Sequence, residues 1–160
     1  MEKTSDKIRS ATEAKKKVAE WKSKGQRVVF TNGCFDILHL GHVDYLEKAR
    51  NLGDKLIVGL NTDSSVSRFK GPQRPLQDQN SRARILSSLQ FVDMVVLFDE
   101  DTPKELISTL VPDVLVKGSD YLAENIVGAD VVKKAGGEVR TIDLVQGYST
   151  TSIVKKIKET

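Results

Sequence analysis

The chain has 160 residues, 39% hydrophobic and 29% charged, a composition that suits one folded unit able to bury a core without disulfide or metal staples. Its 25 basic and 22 acidic residues leave a net charge of +3, too balanced for a nucleic-acid module, and aromatic stacking platforms for single strands are absent. One cysteine excludes an internal disulfide, and the N-terminus has no apolar signal region and the chain no bilayer-length run, so a cytoplasmic protein without membrane contact is expected.

In chain order, Ser5–Lys24 places Ile8, Ala11, Ala14, Val18 and Trp21 on one stripe, and Gly25 ends it; residues 1–25 should form a helix packed on the core of a single domain over 1–160. Lys15-Lys16-Lys17 belongs to the solvated face of that helix. Arg27–Thr31 reads as a buried strand, and a helix follows through Val43, Leu46, Ala49 and Leu52 until Gly53. Lys55–Leu60 is the second strand. The basic stretch Ser64–Gln77, with Gly71, Pro72 and Pro75, reads mainly as a mobile loop. Ser81–Gln90 is a helix and Met94–Leu97 the third strand. Thr102-Pro103-Lys104-Glu105 has the form of a capping box with proline at the first helical position. Asp113–Lys117 is the fourth strand, Ala129–Ala135 a helix stopped by Gly136, and Glu138–Ile142 the fifth strand. Ser149–Lys158 closes the chain as a helix, with Ile153, Val154 and Ile157 facing inward.

This alternation predicts an α/β architecture, a Rossmann-like five-stranded parallel sheet with helices on both faces. Ligands of such sheets bind beyond the carboxyl ends of the strands, at the switch point. The segments expected there are Thr31–His42, Asn61–Arg74, Lys117–Tyr121 and Gly147–Thr151.

The first of these, Thr31-Asn32-Gly33-Cys34-Phe35-Asp36-Ile37-Leu38-His39-Leu40-Gly41-His42, joins a strand to a helix. Gly33 permits close backbone approach to a phosphate, and the helix opening near Gly41 offers free N–H groups and a positive dipole end. His39 and His42, three residues apart, project on one side and can grip one polyphosphate, while Gly41 leaves room for a ribose or base. A metal pair is disfavoured, since these are the only histidines and the chain holds one cysteine.

Asn-Gly-Cys-Phe-Asp-x-x-His-x-Gly-His resembles the HxGH nucleotidyltransferase superfamily, which includes cytidylyltransferases and pantetheine-phosphate adenylyltransferase. Residues 26–157 further resemble the adenylyltransferases of ADP-heptose synthesis, through Gly53–Gly59, Lys70-Gly71-Pro72 with Arg74-Pro75, Phe98–Pro103, Pro112–Gly118, Asp120-Tyr121, Val127–Ala129 and Ser149–Thr151. The resemblance implies transfer of AMP from ATP, with Mg2+, to D-glycero-β-D-manno-heptose 1-phosphate, giving ADP-heptose and pyrophosphate for surface glycan synthesis. It also implies a homo-oligomer, a dimer or larger. A kinase precedes this domain in many relatives; 160 residues leave no room for one, so a separate sugar kinase is expected upstream.

Carried over by position, the resemblance makes His39, His42, Lys70 and Arg82 catalytic, Arg82 as a phosphate contact. Thr31, Asn32, Gly33, Cys34, Phe35, Gly41, Lys117, Ser149, Thr150 and Thr151 would hold the nucleotide, and Asp36, Arg74, Gly118 and Asp120 the acceptor. No protein metal ligand is expected. Asp36 can instead fix the turn by accepting backbone N–H bonds, Lys117–Asp120 can be a plain turn, and Ser149 or Thr150 a helix cap. Cys34 has no base spaced to activate it and reads as a packing residue. The alternative activity is cytidylyl transfer to glycerol 3-phosphate or a similar phosphorylated acceptor. Cytidylyltransferases carry Arg-Thr-x-Gly ahead of the last helix, and Leu144 stands here in place of the arginine. A nucleotide-binding regulator without catalysis is the reading from another class; both histidines and Lys70 are retained, which argues against it.

Overall fold

Runs of β-branched and aliphatic residues such as Val-Val-Phe and Leu-Ile-Val favour a pleated, two-sided buried surface over a helix. In the computed structural model, which describes residues 1–160, they form β1 (Val28–Gly33), β2 (Lys55–Asn61), β3 (Met94–Phe98), β4 (Val114–Gly118) and β5 (Glu138–Ile142). All are parallel, in the order β3-β2-β1-β4-β5. The connections carry α1 (Ala11–Ser23), α2 (Leu40–Arg50), α3 (Asp63–Lys70), α4 (Gln79–Ser87), α5 (Lys104–Leu110) and α6 (Ala129–Lys134), and α7 (Thr150–Lys158) ends the chain.

Alternation along β1 divides the core. Val28 and Phe30 pack with Ala14, Val18 and Trp21 of α1, Leu106 and Leu110 of α5, and Val132 of α6. Val29 faces the opposite layer, with Leu46 and Ala49 of α2 and Ala83 and Leu86 of α4. The expected Rossmann-like sheet with helices on both faces is thus the observed one. The chain leaves β1 for β2 and β3 on one side, then crosses back to lay β4 against the other. Strand order reverses between β1 and β4, and a crevice opens there at their carboxyl ends.

Four local expectations are corrected. The first helix does not run from Ser5: a short 3-10 turn spans Thr4–Lys7, and Ile8 leaves the helical stripe to bridge Val95 in parallel. Helix α1 starts only after Ser10, which accepts from Glu13 N while the Glu13 carboxylate accepts from Ser10 N, so two otherwise orphaned N–H groups are satisfied there. The basic stretch expected as a loop is half helix. Thr62 caps α3 through Ser65 N, and the helix runs to Gly71, whose φ of 99° favours glycine. Thr102–Glu105 makes no capping box, since Pro103 itself occupies the cap position and no side chain caps α5. In α7 no residue is buried, and Ile157, expected inward, is 62% exposed.

Candidate active site

The β1–α2 turn is shaped by contacts its residue types require. Phe35 adopts a positive φ of 47°, unfavourable for an aromatic side chain, yet its ring is buried and packs edge-on against His42 at 5.1 Å. His39 is the N-cap of α2 and extended, not helical; His42 lies one turn on, and their rings stack at 3.8 Å and 24°. A Cβ at Gly41 would come within 2.9 Å of the His39 ring, so glycine here is what lets the ring lie over the helix start. Side chains cap α1, α3, α4 and α7, but none caps α2. Helices α5 and α6 lack side-chain caps as well, but α2 is the one that opens beside the two histidines, with N–H groups that can take an anion.

The surroundings of both imidazoles favour the neutral form. Burial pushes His42 down to about 4, with His39 and Lys70 acting in the same direction and the Ile37 carbonyl against it. Burial lowers His39 as well. Sensitivity of the free protein to histidine charging therefore lies on the acid side of neutrality. Neither buried Nδ1 atom has a hydrogen-bond partner.

These groups line a cavity of about 430 Å³ over the crevice, walled by Asn32–Asp36 at the end of β1 and its turn, Lys117 and Gly118 at the end of β4, Asp120 after it, and Ser149 and Thr150 at the start of α7. A second cavity of about 620 Å³ adjoins it on the β2 side. Asn32, Gly33, Cys34, Lys70, Lys117 and Tyr121 line both. Lys117 projects from the end of β4 with its ammonium 5.2 Å from the Tyr121 ring and no carboxylate in an ion pair. Burial lowers it from the ordinary lysine value, while Asp120 and Cys34 oppose that shift. A partly buried cation without a paired anion is suited to an incoming one. Cys34 is not a packed core residue but part of both cavity walls; burial raises its thiol, which makes it a poor nucleophile.

Other expected contacts are drawn elsewhere by protein partners. Arg82 has a fully buried side chain and donates to the carbonyls of Gln77, Cys34 and Asn61 and to the Asp63 carboxylate at 2.8–2.9 Å. It clamps the ends of β1 and β2 to α4, with four of its five N–H donors turned to protein partners. Thr31 is wholly buried, sharing a 2.7 Å hydrogen bond with Tyr45 and donating to the Val116 carbonyl, so it ties the sheet to α2 and cannot touch a nucleotide. Asp36 reaches the cavity wall, but its carboxylate accepts from the backbone N–H groups of Leu76 and Gln77 and from Arg74 at 3.3 Å. The pair Asp36–Arg74 therefore pins the segment after α3, and Arg74 lines neither cavity. Ser149 caps α7 through Ser152 N, while Thr151 is exposed and outside both walls. Tyr45, Leu144, Val145 and Tyr148 complete the first cavity without having been singled out as ligand contacts. Tyr148 had one local signal, its place between a strand end and a capping serine.

Residues 30–156 match the cytidylyltransferase-like family. The chain belongs to that family. As one of its members it is a nucleotidyltransferase. The chain is 58% identical over 153 residues, 96% of its length, to the bifunctional protein HldE of Magnetococcus marinus, and 59% identical over 141 residues, 88% of its length, to that of Azorhizobium caulinodans. It spans 31% and 29% of those two proteins. Among solved structures it is similar to a lipopolysaccharide core biosynthesis protein from Thermoplasma volcanium, with a TM-score of 0.61 and 33% identity, covering 78% of this chain and all of that one. A pantoate-beta-alanine ligase from Francisella tularensis shares the fold alone, with a TM-score of 0.57 at 16% identity, covering 96% of this chain and 78% of that one. No helix is long and apolar enough to cross a membrane.

Proposed function

We propose that the chain transfers AMP from ATP to D-glycero-β-D-manno-heptose 1-phosphate, releasing pyrophosphate and ADP-heptose for surface glycan synthesis. The observation that carries this reading is the pair of stacked, neutral imidazoles at the uncapped start of α2, facing Lys117 across a cavity at the strand-order switch. An acceptor phosphate oxygen attacks the α-phosphorus in line, a bond to the bridging oxygen breaks, and pyrophosphate leaves. No covalent enzyme intermediate is required. His39 and His42 donate to the phosphates as charge grows on the leaving group, and Lys117 and Lys70 hold the reacting phosphates together. Leu144 in the first cavity, in place of the cytidylyltransferase arginine, favours ATP over CTP.

The residues present suit magnesium carried in by the nucleotide. No three His, Cys, Asp or Glu side chains gather to cage an ion, but the buried Asn32 Oδ1 is an unpaired oxygen in the cavity wall. Magnesium binds oxygen, uses few protein ligands and neutralises triphosphate charge. A sugar kinase activity supplies the acceptor, and the chain works in the cytoplasm as a homo-oligomer.

The test is a matrix of ATP, CTP, GTP and UTP against heptose 1-phosphate, glycerol 3-phosphate and other sugar phosphates, scored by pyrophosphate release. Release should be fastest by far with ATP and heptose 1-phosphate. Faster turnover of CTP with glycerol 3-phosphate would overturn the assignment.

A further inference from the structure

The ring of His42 is oriented by packing. An imidazole that serves a ligand through one nitrogen is ordinarily held by a hydrogen bond at the other, to a carbonyl or a carboxylate. Here Nδ1 of His42 is buried without a partner, and the Ile37 carbonyl acts on the ring without a hydrogen bond to that atom. What lies against the ring is aromatic. The His39 imidazole stacks on it at 3.8 Å, and the Phe35 ring meets it at 5.1 Å with the two planes 62° apart. The backbone is bent to bring Phe35 there. Its φ of 47° lies in the left-handed region, which a bulky aromatic residue seldom enters, and such a departure persists only where the surroundings hold it. Only 8% of the residue is exposed, so it offers a ligand little surface of its own. Gly33 makes the room: a Cβ there would come within 2.8 Å of Phe35 Cε2.

Resting on the nucleotidyl-transfer reading above, we propose that Phe35 is a positioning residue, whose ring fixes the direction in which His42 donates to the leaving phosphate. Phe35 thereby passes from the nucleotide contacts, where its place in the motif puts it, to a support behind one of them. Gly33 serves the same end one step further back, by leaving space for the Phe35 ring. The device suits the chemistry asked of the histidine. An orienting carboxylate at Nδ1 would also draw a proton onto the ring, whereas aromatic neighbours fix it and leave it neutral.

Phe35→Asn tests it, since asparagine enters the left-handed region readily and the variant removes the ring while keeping the turn. Turnover of ATP with heptose 1-phosphate should show kcat lowered about 10- to 100-fold, with the KM of both substrates unchanged. The chain has only two histidines, so each imidazole can be followed by NMR in the ligand-free protein. His42 should then titrate above its value of about 4, toward the ordinary 6.5. The groups that share its cavity wall, His39, Cys34, Asp36, Lys70, Lys117 and Asp120, are untouched by the substitution, so this movement reports the loss of the Phe35 ring. Gly33→Ala, whose methyl group would press on that ring, should displace the His42 signals in the same spectra, and it decides the matter should Phe35→Asn not fold. A raised KM for ATP at unchanged kcat would make Phe35 a nucleotide contact and overturn the proposal. Unmoved His42 signals in both variants would overturn it too, as would displaced signals with a wild-type kcat. Failure of the underlying reading looks different: the unaltered protein would release no pyrophosphate from ATP and heptose 1-phosphate at all.

Discussion

Two cations near the carboxyl ends of the strands, Arg82 and Lys117, differ in what surrounds them. Arg82 is enclosed and has four hydrogen-bond partners from three segments of chain. Lys117 is half-buried in a cavity wall and ion-paired to nothing. A positive charge with four of five donors taken by carbonyls and a carboxylate has little capacity left for phosphate, and it fixes the crevice. One that has lost part of its hydration without gaining an anion keeps that capacity for a ligand. Residue type and position suggest phosphate binding for both; partner count separates them.

The sharpest way to break this contrast is to remove Arg82. Arg82→Met leaves the carbonyls of Gln77, Cys34 and Asn61 without their donor, each worth roughly 1–3 kcal/mol if left unsatisfied. Stability in urea should fall by about 3–5 kcal/mol, with activity lost together with the fold. A variant as stable as the unaltered protein but unable to turn over would return Arg82 to the phosphate site. His42→Ala should do the reverse. Loss of one well-placed donor is expected to lower kcat on the order of 10²–10³-fold while the thermal midpoint stays close to that of the unaltered protein. Wild-type rates would remove His42 from the chemistry. Lys117→Gln is smaller still. A lost charge-assisted contact of roughly 1.5–3 kcal/mol corresponds to about a 10- to 100-fold drop in kcat/KM. Stability should hold or rise, since the substitution removes an unpaired, partly buried charge. A large loss of stability would mean that Lys117 is a structural cation like Arg82.

The same contrast explains what could be read from the sequence. Short continuous apolar runs and helical patterns, interrupted by Gly25, Gly53 and Gly136, were enough for all five strands and the doubly wound sheet, because burial on two faces leaves few other arrangements. His39, His42 and Gly41 were legible because the strand-to-helix turn places them locally. The roles of Arg82, Thr31, Asp36 and Arg74 were not, since each is decided by partners 14 to 85 residues away. No local pattern records that the Cys34 carbonyl will need a donor from α4. The α3 helix was hidden for a related reason: Gly71, Pro72 and Pro75 mark its end, and their density obscured the Thr62 cap that begins it.

The smallest expected effect concerns the histidines without any ligand. His42 lies near 4 in the folded protein and at the ordinary value of 6.5 when unfolded, because the fold buries its ring beside Phe35, His39 and Lys70. Between these values the unfolded chain binds a proton that the folded chain refuses. Its share of stability is therefore fully present above pH 6.5 and is lost as the pH falls toward about 4, with His39 shifted in the same direction. Urea midpoints at pH 7.5, 6 and 5 should decline, and the decline should be shallower in His42→Ala. A triphosphate reverses the balance by favouring the charged imidazole, so binding of a nonhydrolysable ATP analogue should tighten as the pH falls from 8 to 6, with proton uptake measurable by calorimetry in buffers of different ionisation enthalpy. Binding that weakens over that range would mean the imidazoles stay neutral beside the phosphates and act only through their N–H groups.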